Sequence, residues 1–317
     1  MKRILLSRPM PPQTVAAAED LFEVEVRESN KPMSAGEVRA AFAVYDGMMV
    51  TLGDAITADI LQDFGRPRCR MVANFGVGYN HIDVAACTDH GVIVSNTPGA
   101  VTDATADIAL TLMLMTARRA GEGERMVRSG KWEGWHPTQL LGLHLTGKTV
   151  GVVGMGRIGQ AIARRCHFGF GMSVLYANRS EKAVDFPAVQ KPLAEVAAAA
   201  DILVVAAPGG AETEHLIDAA VLDAMPKTAI LVNIARGNIV DEKALVAALE
   251  AGSIAGAGLD VYEHEPKVTP ALLKMDQVCL LPHLGTASME VREEMGLMAV
   301  ANLRAYFDGD EVPNRVA

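Results

Sequence analysis

The sequence predicts an α/β protein built from two doubly wound parallel-sheet domains. Three observations indicate this fold. Short apolar strand segments alternate with helical segments from the start of the chain, a glycine-rich turn follows an apolar strand near mid-chain, and the alternation then resumes. Regular strand–helix alternation is typical of parallel βαβ units. A chain of 317 residues is long enough for two such domains, each with its own core.

The first hundred residues contain five strand candidates separated by four helix candidates. The strand candidates are Arg3–Leu6, Phe22–Val26, Gly47–Val50, Met71–Asn74 and Val92–Val94. The helix candidates are Pro12–Leu21, Ser34–Phe42, Thr57–Phe64 and Val84–His90. This pattern predicts a parallel sheet with helices on its faces, of the flavodoxin-like type.

One long apolar helix is predicted over Thr102–Arg119. Asp103 and Asp107 stand in its first turns, and Arg118 and Arg119 stand in its last turn. Acidic residues near the start of a helix and basic residues near its end complement the helix dipole.

From Thr149 the alternation resumes with six strand candidates, the number in a complete dinucleotide-binding fold. These candidates are Thr149–Val153, Ser173–Tyr176, Ile202–Ala206, Ala229–Ile234, Ala257–Asp260 and Val278–Leu281. A last long helix, Ala287–Phe307, is followed by no strand candidate, so we expect it to pack on the first domain.

The glycine run Gly154-Met-Gly156-Arg-Ile-Gly159 lies between the first of these strands and a helical segment. In a dinucleotide site the first glycine permits a tight turn, the second lets the backbone approach the pyrophosphate, and the third lets helix and strand pack closely. The N–H groups of Arg157 and Ile158 would face the anion. The alternative is a glycine-rich turn that binds nothing, but the strand–turn–helix context favours a dinucleotide.

These elements predict a Rossmann cofactor domain, residues 100–286, inserted into a flavodoxin-like substrate domain, residues 1–99 and 287–317. We expect the active site in the cleft between the two domains.

The end of the second strand of the cofactor domain indicates which nicotinamide dinucleotide is preferred. An NAD site carries an acidic side chain there, which hydrogen-bonds the ribose hydroxyls. This chain has Asn178, Arg179 and Ser180 instead, with no carboxylate before Glu181. Arg179 suits a 2′-phosphate, and Asn178 and Ser180 can add neutral hydrogen bonds. The sequence therefore predicts NADPH as the preferred cofactor, with NADH as an alternative.

Composition excludes several other classes of function. The 29 Lys and Arg against 38 Asp and Glu give a net charge of −9, which argues against nucleic acid or an anionic membrane as a partner. Four cysteines show no metal-binding or redox spacing and are interpreted as buried thiols in a reducing compartment. The apolar uncharged run Ile108–Ala117 is too short to span a bilayer. We expect a cytoplasmic enzyme without a metal.

Polar residues fall near the carboxyl ends of three predicted strands, where doubly wound sheets bind ligands. Arg236 follows one strand, Asp260 ends the next with Glu265 in the loop after it, and His283 follows the last. Reduction of a 2-keto acid needs a cation for the carboxylate and carbonyl, which Arg236 suits, and a proton donor, which His283 suits. Glu265 would orient His283 and favour its charged form. The alternatives are a solvated arginine, an exposed polar loop and a structural histidine.

Three runs resemble signatures of the D-2-hydroxyacid dehydrogenases: Asn233-Ile-Ala-Arg236-Gly237, Gly258-Leu-Asp260-Val-Tyr-Glu and Pro282-His283-Leu-Gly-Thr286-Ala-Ser288. Within that family, two more runs resemble the glyoxylate/hydroxypyruvate reductases: Asn74-Phe-Gly-Val77-Gly78-Tyr-Asn-His-Ile-Asp83 and Gly130-Lys-Trp132-Glu-Gly-Trp135-His-Pro137. The resemblance implies that Arg236, Glu265 and His283 are catalytic.

The resemblance also implies further site residues and a partner. The backbone of Val77 and Gly78 would hold the substrate carboxylate, and Leu52 and Thr286 would line the pocket. Nine residues match positions near the cofactor: Thr105, Pro208, Thr213, Ile234, Ala235, Arg236, Asp260, His283 and Gly285. The family is typically homodimeric through an arm around residues 120–148, from which Trp135 either enters the partner's active site or is an ordinary interface aromatic.

Two other functions remain as alternatives. One is an NAD-dependent D-2-hydroxyacid dehydrogenase of other specificity, of the phosphoglycerate or D-lactate type. The other is a dinucleotide-sensing interaction protein similar to the corepressors among the family's relatives. The first hypothesis is reduction of glyoxylate and hydroxypyruvate with NADPH.

Overall fold

The computed structural model describes residues 1–316, and it divides the chain into two compact units. The first contains Met1–Val101 together with the chain from Thr286 onward, and the second contains Thr102–Gly285. Within the described residues, no helix combines the length and apolar character that crossing a membrane requires.

The first unit is built on a sheet of five parallel strands. These strands are β1 (Arg3–Leu6), β2 (Glu23–Val26), β3 (Gly47–Thr51), β4 (Met71–Phe75) and β5 (Ile93–Ser95). Their order is β2-β1-β3-β4-β5, which is the flavodoxin-like order. The strand order reverses between β1 and β3, so the loops after these two strands flank the crevice at the switch point. All five strands lie within one or two residues of the predicted bounds.

Four short helices cover the faces of this sheet, together with the C-terminal helix Met289–Asp308. The short helices are α1 (Pro12–Glu19), α2 (Ala35–Val44), α3 (Ala58–Leu61) and α4 (Val84–Asp89). Helix α2 begins at a capping box, in which the Ser34 side chain accepts from the Glu37 N–H and the Glu37 carboxylate accepts from the Ser34 N–H. The C-terminal helix packs on α1 and β4, as expected from the sequence.

The second unit begins with two helices where the sequence predicted one. Helix α5 spans Thr102–Ala117, Arg119 adopts a left-handed conformation with φ of 51°, and helix α6 spans Ala120–Arg128. The helix stops at Ala117 because the returning arm occupies its carbonyl, which accepts from the Leu143 N–H at 2.7 Å. Charge pattern alone could not reveal this break, since it depends on a residue 26 positions away.

A sheet of seven parallel strands forms the centre of the second unit. These strands are β6 (Thr149–Val153), β7 (Ser173–Ala177), β8 (Ala188–Gln190), β9 (Ile202–Val205), β10 (Ile230–Asn233), β11 (Gly256–Leu259) and β12 (Val278–Leu280). Their order is β12-β11-β10-β9-β6-β7-β8. Counted from β6 and read from the β8 edge, this is the Rossmann order 3-2-1-4-5-6 with one further strand.

The predicted count of six strands was wrong, because β8 was missed. This strand has three residues, follows Pro187 and pairs only with β7, at the edge of the sheet. An edge strand needs no continuous apolar run, so the pattern used to find buried strands does not detect it.

Four further α-helices are described in the second unit, and buried apolar clusters lie on both faces of its sheet. These helices are α7 (Arg157–Phe170), α8 (Leu193–Ala199), α9 (Ala219–Ala224) and α10 (Glu242–Ala251). The four cysteines of the chain are free and buried. Burial raises the pKa of the Cys69, Cys87 and Cys166 thiols to about 12, so these three thiols stay neutral.

Candidate active site

Three neighbouring strands of the second unit end in the polar residues that the sequence singled out. Arg236 follows β10, Asp260 follows β11 and His283 follows β12, and these strands are adjacent in the order β12-β11-β10. Because the strands are parallel, their carboxyl ends share one edge of the sheet. The fold therefore brings residues from distant parts of the chain to a single edge.

His283 has a strained backbone that Asp260 supports. Its φ is +56°, a left-handed conformation that costs a non-glycine residue about 1–3 kcal/mol. The His283 N–H donates to the Asp260 carbonyl at 2.9 Å, and the Asp260 carboxylate accepts from the N–H groups of Leu284 at 2.6 Å and Gly285 at 2.8 Å. The Thr105 hydroxyl then donates to the Gly285 carbonyl at 3.2 Å. These bonds determine where the imidazole lies.

The imidazole of His283 is paired with Glu265. Its Nδ1 lies 2.9 Å from one Glu265 oxygen, and the other oxygen accepts from the Tyr262 N–H at 3.1 Å. Burial raises the pKa of Glu265, but the contact with His283, the Tyr262 N–H and the charge of Arg236 outweigh it and lower the pKa below its usual value. Glu265 is therefore a carboxylate at neutral pH, and it directs the Nε2 of His283 away from itself.

Arg236 lies half-buried beside this pair. Burial lowers the pKa of its guanidinium, and the Glu265 carboxylate opposes that shift. Its backbone is held by Asn233, which donates from Nδ2 to the Arg236 carbonyl at 2.9 Å. The next residue must be glycine, since a Cβ at Gly237 would lie 1.8 Å from the Tyr262 carbonyl carbon. A desolvated guanidinium binds a carboxylate more strongly than one in water.

The glycine turn has the geometry that a dinucleotide requires. Gly154 has φ of +94°, and a Cβ there would lie 2.6 Å from the Ala207 backbone. A Cβ at Gly159 would lie 2.1 Å from the Gly154 carbonyl oxygen, so helix α7 meets the turn closely. By contrast, a Cβ at Gly156 would meet no atom within 4 Å, and helix α7 starts there with no side-chain cap. The N–H groups in the first turn of a helix have no partner within the helix, and here, where Arg157 and Ile158 begin the helix, no side chain caps them.

The end of β7 carries the residues predicted to select the cofactor. Asn178 accepts from the Met155 N–H at 3.1 Å and donates to the Ser180 carbonyl at 2.8 Å, so its amide ties this strand end to the glycine turn. Ser180 is exposed. Arg179 is also exposed and forms an ion pair with Glu212 at 2.9 Å.

The other predicted cofactor residues of this unit lie at the ends of β9 and β10. Thr213 donates from its hydroxyl to the Pro208 carbonyl at 2.8 Å, which holds the loop after β9. Ile234 and Ala235 are buried directly after β10. Trp135 lies on the arm and is 79% exposed.

The predicted substrate residues of the first unit lie at the carboxyl edge of its own sheet. Leu52 follows β3 and is 40% exposed, while Val77 and Gly78 follow β4 and are half-buried. Thr286 precedes the C-terminal helix, and its carbonyl accepts from the Ser288 N–H at 2.8 Å.

Comparison with known proteins identifies the family. The model described as "D-isomer specific 2-hydroxyacid dehydrogenase, NAD binding domain" matches residues 110–285. The chain belongs to this family. The dehydrogenase is therefore an NAD(P)-dependent oxidoreductase with a nicotinamide-dinucleotide domain in its second unit.

Relatives and solved structures cover almost the whole dehydrogenase. Glyoxylate reductase of Pyrococcus horikoshii is 43% identical over 321 residues, covering 99% of this chain and 95% of that protein. A crystal structure of an NADPH-dependent glyoxylate/hydroxypyruvate reductase from Sinorhizobium meliloti, in complex with NADP and malonate, is 39% identical with a TM-score of 0.88, covering 100% and 97%. A crystal structure of a protein from Thermus thermophilus is 39% identical with a TM-score of 0.92, covering 99% and 100%.

Sequence reasoning missed a buried network at the edge of the first sheet of the dehydrogenase. Asp54 is fully buried and accepts from the Ser7 hydroxyl at 2.6 Å and the Thr51 N–H at 2.9 Å. Arg8 donates to Asp54 at 3.2 Å and to the Leu52 carbonyl at 2.9 Å. Burial raises the pKa of Asp54, but these donors outweigh it and lower the pKa below its usual value. The signal that could have revealed the network was Arg8, two residues after β1, and Asp54, three residues after β3.

Proposed function

We propose that this dehydrogenase reduces small 2-keto acids, glyoxylate to glycolate and hydroxypyruvate to D-glycerate, with NADPH as the preferred cofactor. The observation that carries the proposal is the His283–Glu265 pair, 2.9 Å apart, beside the half-buried Arg236 at the carboxyl edge of the Rossmann sheet. The glyoxylate reductase of Pyrococcus horikoshii, with 43% identity over 99% of the chain, supports this substrate class.

The proposed roles follow from the charge and position of each side chain. Arg236 binds the carboxylate of the keto acid with two donors and polarises its carbonyl oxygen. His283 donates the Nε2 proton to that oxygen as it becomes an alkoxide. Glu265 accepts from Nδ1, which holds the ring and stabilises its protonated form. When bound, the reduced dinucleotide supplies the hydride that completes the reduction.

The proposed substrate contacts are Leu52, Val77, Gly78 and Thr286 of the first unit and Arg236 and His283 of the second, whereas the proposed cofactor contacts all belong to the second. The glycine turn fits a pyrophosphate, and the loops carrying Thr105, Pro208, Thr213, Ile234, Ala235, Asp260 and Gly285 would contact the rest of the dinucleotide.

Arg179 supports the preference for NADPH. Asn178 puts no negative charge at the end of β7, and Arg179 is 85% exposed, so its guanidinium is accessible to a 2′-phosphate. The phosphate would displace Glu212, whose exposed ion pair with Arg179 is worth only about 0.2–1 kcal/mol. Substitution Arg179→Ala is expected to lower the ratio of kcat/KM with NADPH to kcat/KM with NADH about tenfold. A wild-type ratio below one would overturn the preference.

Steady-state kinetics test the substrate class. The panel contains glyoxylate, hydroxypyruvate, pyruvate, phenylpyruvate and 3-phosphohydroxypyruvate, each with NADPH and with NADH. We expect the highest kcat/KM for glyoxylate or hydroxypyruvate. A higher value for the phosphorylated acid or for pyruvate would replace the proposal with a phosphoglycerate-type or lactate-type dehydrogenase. Negligible turnover of all five would favour a dinucleotide-sensing interaction protein.

We also propose a homodimer formed through the arm around residues 120–148. Its apolar side chains Val127, Trp132, Trp135 and Leu141 are all more than half exposed, which is unusual for large apolar residues unless a partner covers them. Light scattering is expected to give twice the chain mass of 33.6 kDa. A monomer would contradict the proposal. If Trp135→Ala raises KM while the dimer persists, Trp135 enters the partner's site, whereas a weaker dimer with unchanged KM makes it an interface aromatic.

A further inference from the structure

In the loop after β4, the carbonyl groups of Gly76, Val77 and Gly78 all accept hydrogen bonds from other groups of the protein. The Gly76 carbonyl accepts from Asn74 Nδ2 at 2.9 Å and from the Thr97 N–H at 3.1 Å. The Gly78 carbonyl accepts from Asn74 Nδ2 at 3.0 Å. The Val77 carbonyl, between them, accepts from Asn96 Nδ2 at 2.8 Å. Two asparagine side chains thus supply three of the four hydrogen bonds that orient this loop.

Because the peptide bond is planar, fixing the direction of a carbonyl also fixes the direction of the N–H of the next residue. In a trans peptide the C=O of one residue points opposite to the N–H of the next. Holding the Gly76 carbonyl therefore directs the Val77 N–H outward, and holding the Val77 carbonyl directs the Gly78 N–H outward. Within residues 1–316, neither N–H donates to a protein acceptor. Two adjacent outward N–H groups make a concave donor site suited to an anion.

Asn74 is a buried polar residue with one unsatisfied side-chain atom, which costs free energy of folding. The residue is 1% exposed, and its Oδ1 is buried without a hydrogen-bond partner among the described residues. An unsatisfied buried acceptor costs about 1–3 kcal/mol. Buried polar groups of this kind often mark a functional constraint. Here the amide supplies two donors to two carbonyls without adding a net charge.

Asn96 is in turn held by the C-terminal segment. Its carbonyl accepts from Asn302 Nδ2 at 3.3 Å, and its N–H donates to the Asn314 carbonyl at 3.1 Å. Asn302 is fully buried, and its Oδ1 accepts from the Asn314 N–H at 3.1 Å. Because both backbone groups of Asn96 are bonded, its side chain has a defined position from which to reach Val77.

We propose that Asn74 and Asn96 are positioning residues that aim the Val77 and Gly78 N–H groups at the substrate's carboxylate. The proposal rests on the proposed function and deepens it, since it assigns the preorganisation of the carboxylate site to neutral amides. A lysine or arginine in their place would compete with the loop for the anion, and an aspartate would repel it. Amides hold the carbonyls without adding a charge to the loop.

The test compares Asn96→Ala and Asn74→Ala with Val38→Ala. Val38 is fully buried in α2, a separate element from the loop, so its truncation is expected to lower stability without removing any of the loop's hydrogen bonds. A carboxylate contact is made equally in the ground state and the transition state, so its loss raises KM more than it lowers kcat. We expect the KM for glyoxylate to rise about tenfold or more in both asparagine variants, with the Kd for NADPH unchanged. The Val38→Ala enzyme is expected to melt earlier with the wild-type KM.

Binding of oxamate, an unreactive amide shaped like a 2-keto acid, gives a second measurement by calorimetry. We expect a loss of about tenfold in affinity in Asn96→Ala. Wild-type KM and oxamate affinity in Asn96→Ala would overturn the inference, even if Asn74→Ala failed to fold. A wild type that turns over no keto acid would overturn the proposed function, while oxamate binding would still test the loop.

Discussion

The two sheets of this dehydrogenase present different chemistry at their carboxyl edges. The edge of the seven-stranded sheet carries charged side chains, with His283 paired to Glu265 beside Arg236. At the edge of the five-stranded sheet, the loop after β4 presents backbone groups instead, and its carbonyls accept from the neutral amides of Asn74 and Asn96. Moving a proton needs a titratable group, whereas holding an anion needs only donors in fixed positions. The first edge is therefore suited to catalysis and the second to binding.

Removing the imidazole is expected to have the largest effect. Substitution His283→Ala removes the proposed proton donor, and we expect kcat to fall about 10²- to 10⁴-fold with the Kd for NADPH nearly unchanged. Stopped-flow reduction of glyoxylate and fluorescence titration of NADPH measure the two quantities. His264→Ala, on the exposed part of the neighbouring loop, is the control and is expected to retain activity. If His283→Ala kept wild-type turnover, the proton would come from another group.

Shortening the guanidinium to an amine is expected to have the next largest effect. Arg236→Lys keeps the positive charge but loses the two-pronged contact, so we expect kcat/KM to fall about 10- to 100-fold, with both KM and kcat affected. Arg164→Lys on the exposed face of α7 controls for the loss of an arginine. A change in KM alone would show that Arg236 binds the carboxylate without polarising the carbonyl. Arg236 would then have only a substrate-binding role, like the one proposed for the Val77 and Gly78 N–H groups.

Neutralising the partner of the imidazole is expected to alter the pH profile. The lowered pKa of Glu265 keeps it ionised at neutral pH, so its support of His283 is present there and is lost only as pH falls through that lowered value. In Glu265→Gln we expect kcat to fall about tenfold, because the charge that stabilises the protonated ring is gone. The fall in rate in acid that follows protonation of Glu265 should also be absent from this variant.

The matched control for that profile is Glu263→Gln. Glu263 lies on the same loop but pairs with His215, with 2.8 Å between Oε1 and Nε2. Its profile is expected to match the wild type. Coincident profiles for Glu265→Gln and Glu263→Gln would contradict a special role for Glu265.

The smallest effect on turnover is expected at the first unit's buried carboxylate, where stability changes instead. Asp54 has a lowered pKa, so its stabilisation is present above the unfolded-state value of about 3.9 and is lost as pH falls through the folded-state value. In Asp54→Asn we expect a loss of about 2–3 kcal/mol at neutral pH, with a shallower decline of stability in acid. Thermal melts from pH 7 to pH 3 measure both, and the exposed Asp89→Asn is the control. Equal melts for the two variants would show that the buried network contributes nothing.

Local sequence predicts the elements that depend on nearby residues. The strand–turn–helix context of Gly154, Gly156 and Gly159 predicts a tight turn followed by a closely packed helix. The structure has the positive φ at Gly154 and the close approach at Gly159 that such a turn requires. The strands before Arg236, Asp260 and His283 are apolar runs, so their ends, and the side chains there, could be located from the sequence. The edge strand β8 and the break before α6 could not, because each depends on a distant contact.

By itself the sequence determined the α/β class, the glycine turn and the charged residues at the strand ends, because these follow from periodicity and from residue types at adjacent positions. Only the tertiary structure decided that Asn96 reaches the Val77 carbonyl, in the loop whose other two carbonyls accept from Asn74, and that Asp54 accepts from Ser7, Thr51 and Arg8. An asparagine or aspartate has no distinctive pattern along the chain. The partners of Asp54 and Asn96 include groups far away in sequence, such as Ser7 and Val77. These groups are brought near by strand order, which is set by packing between distant segments.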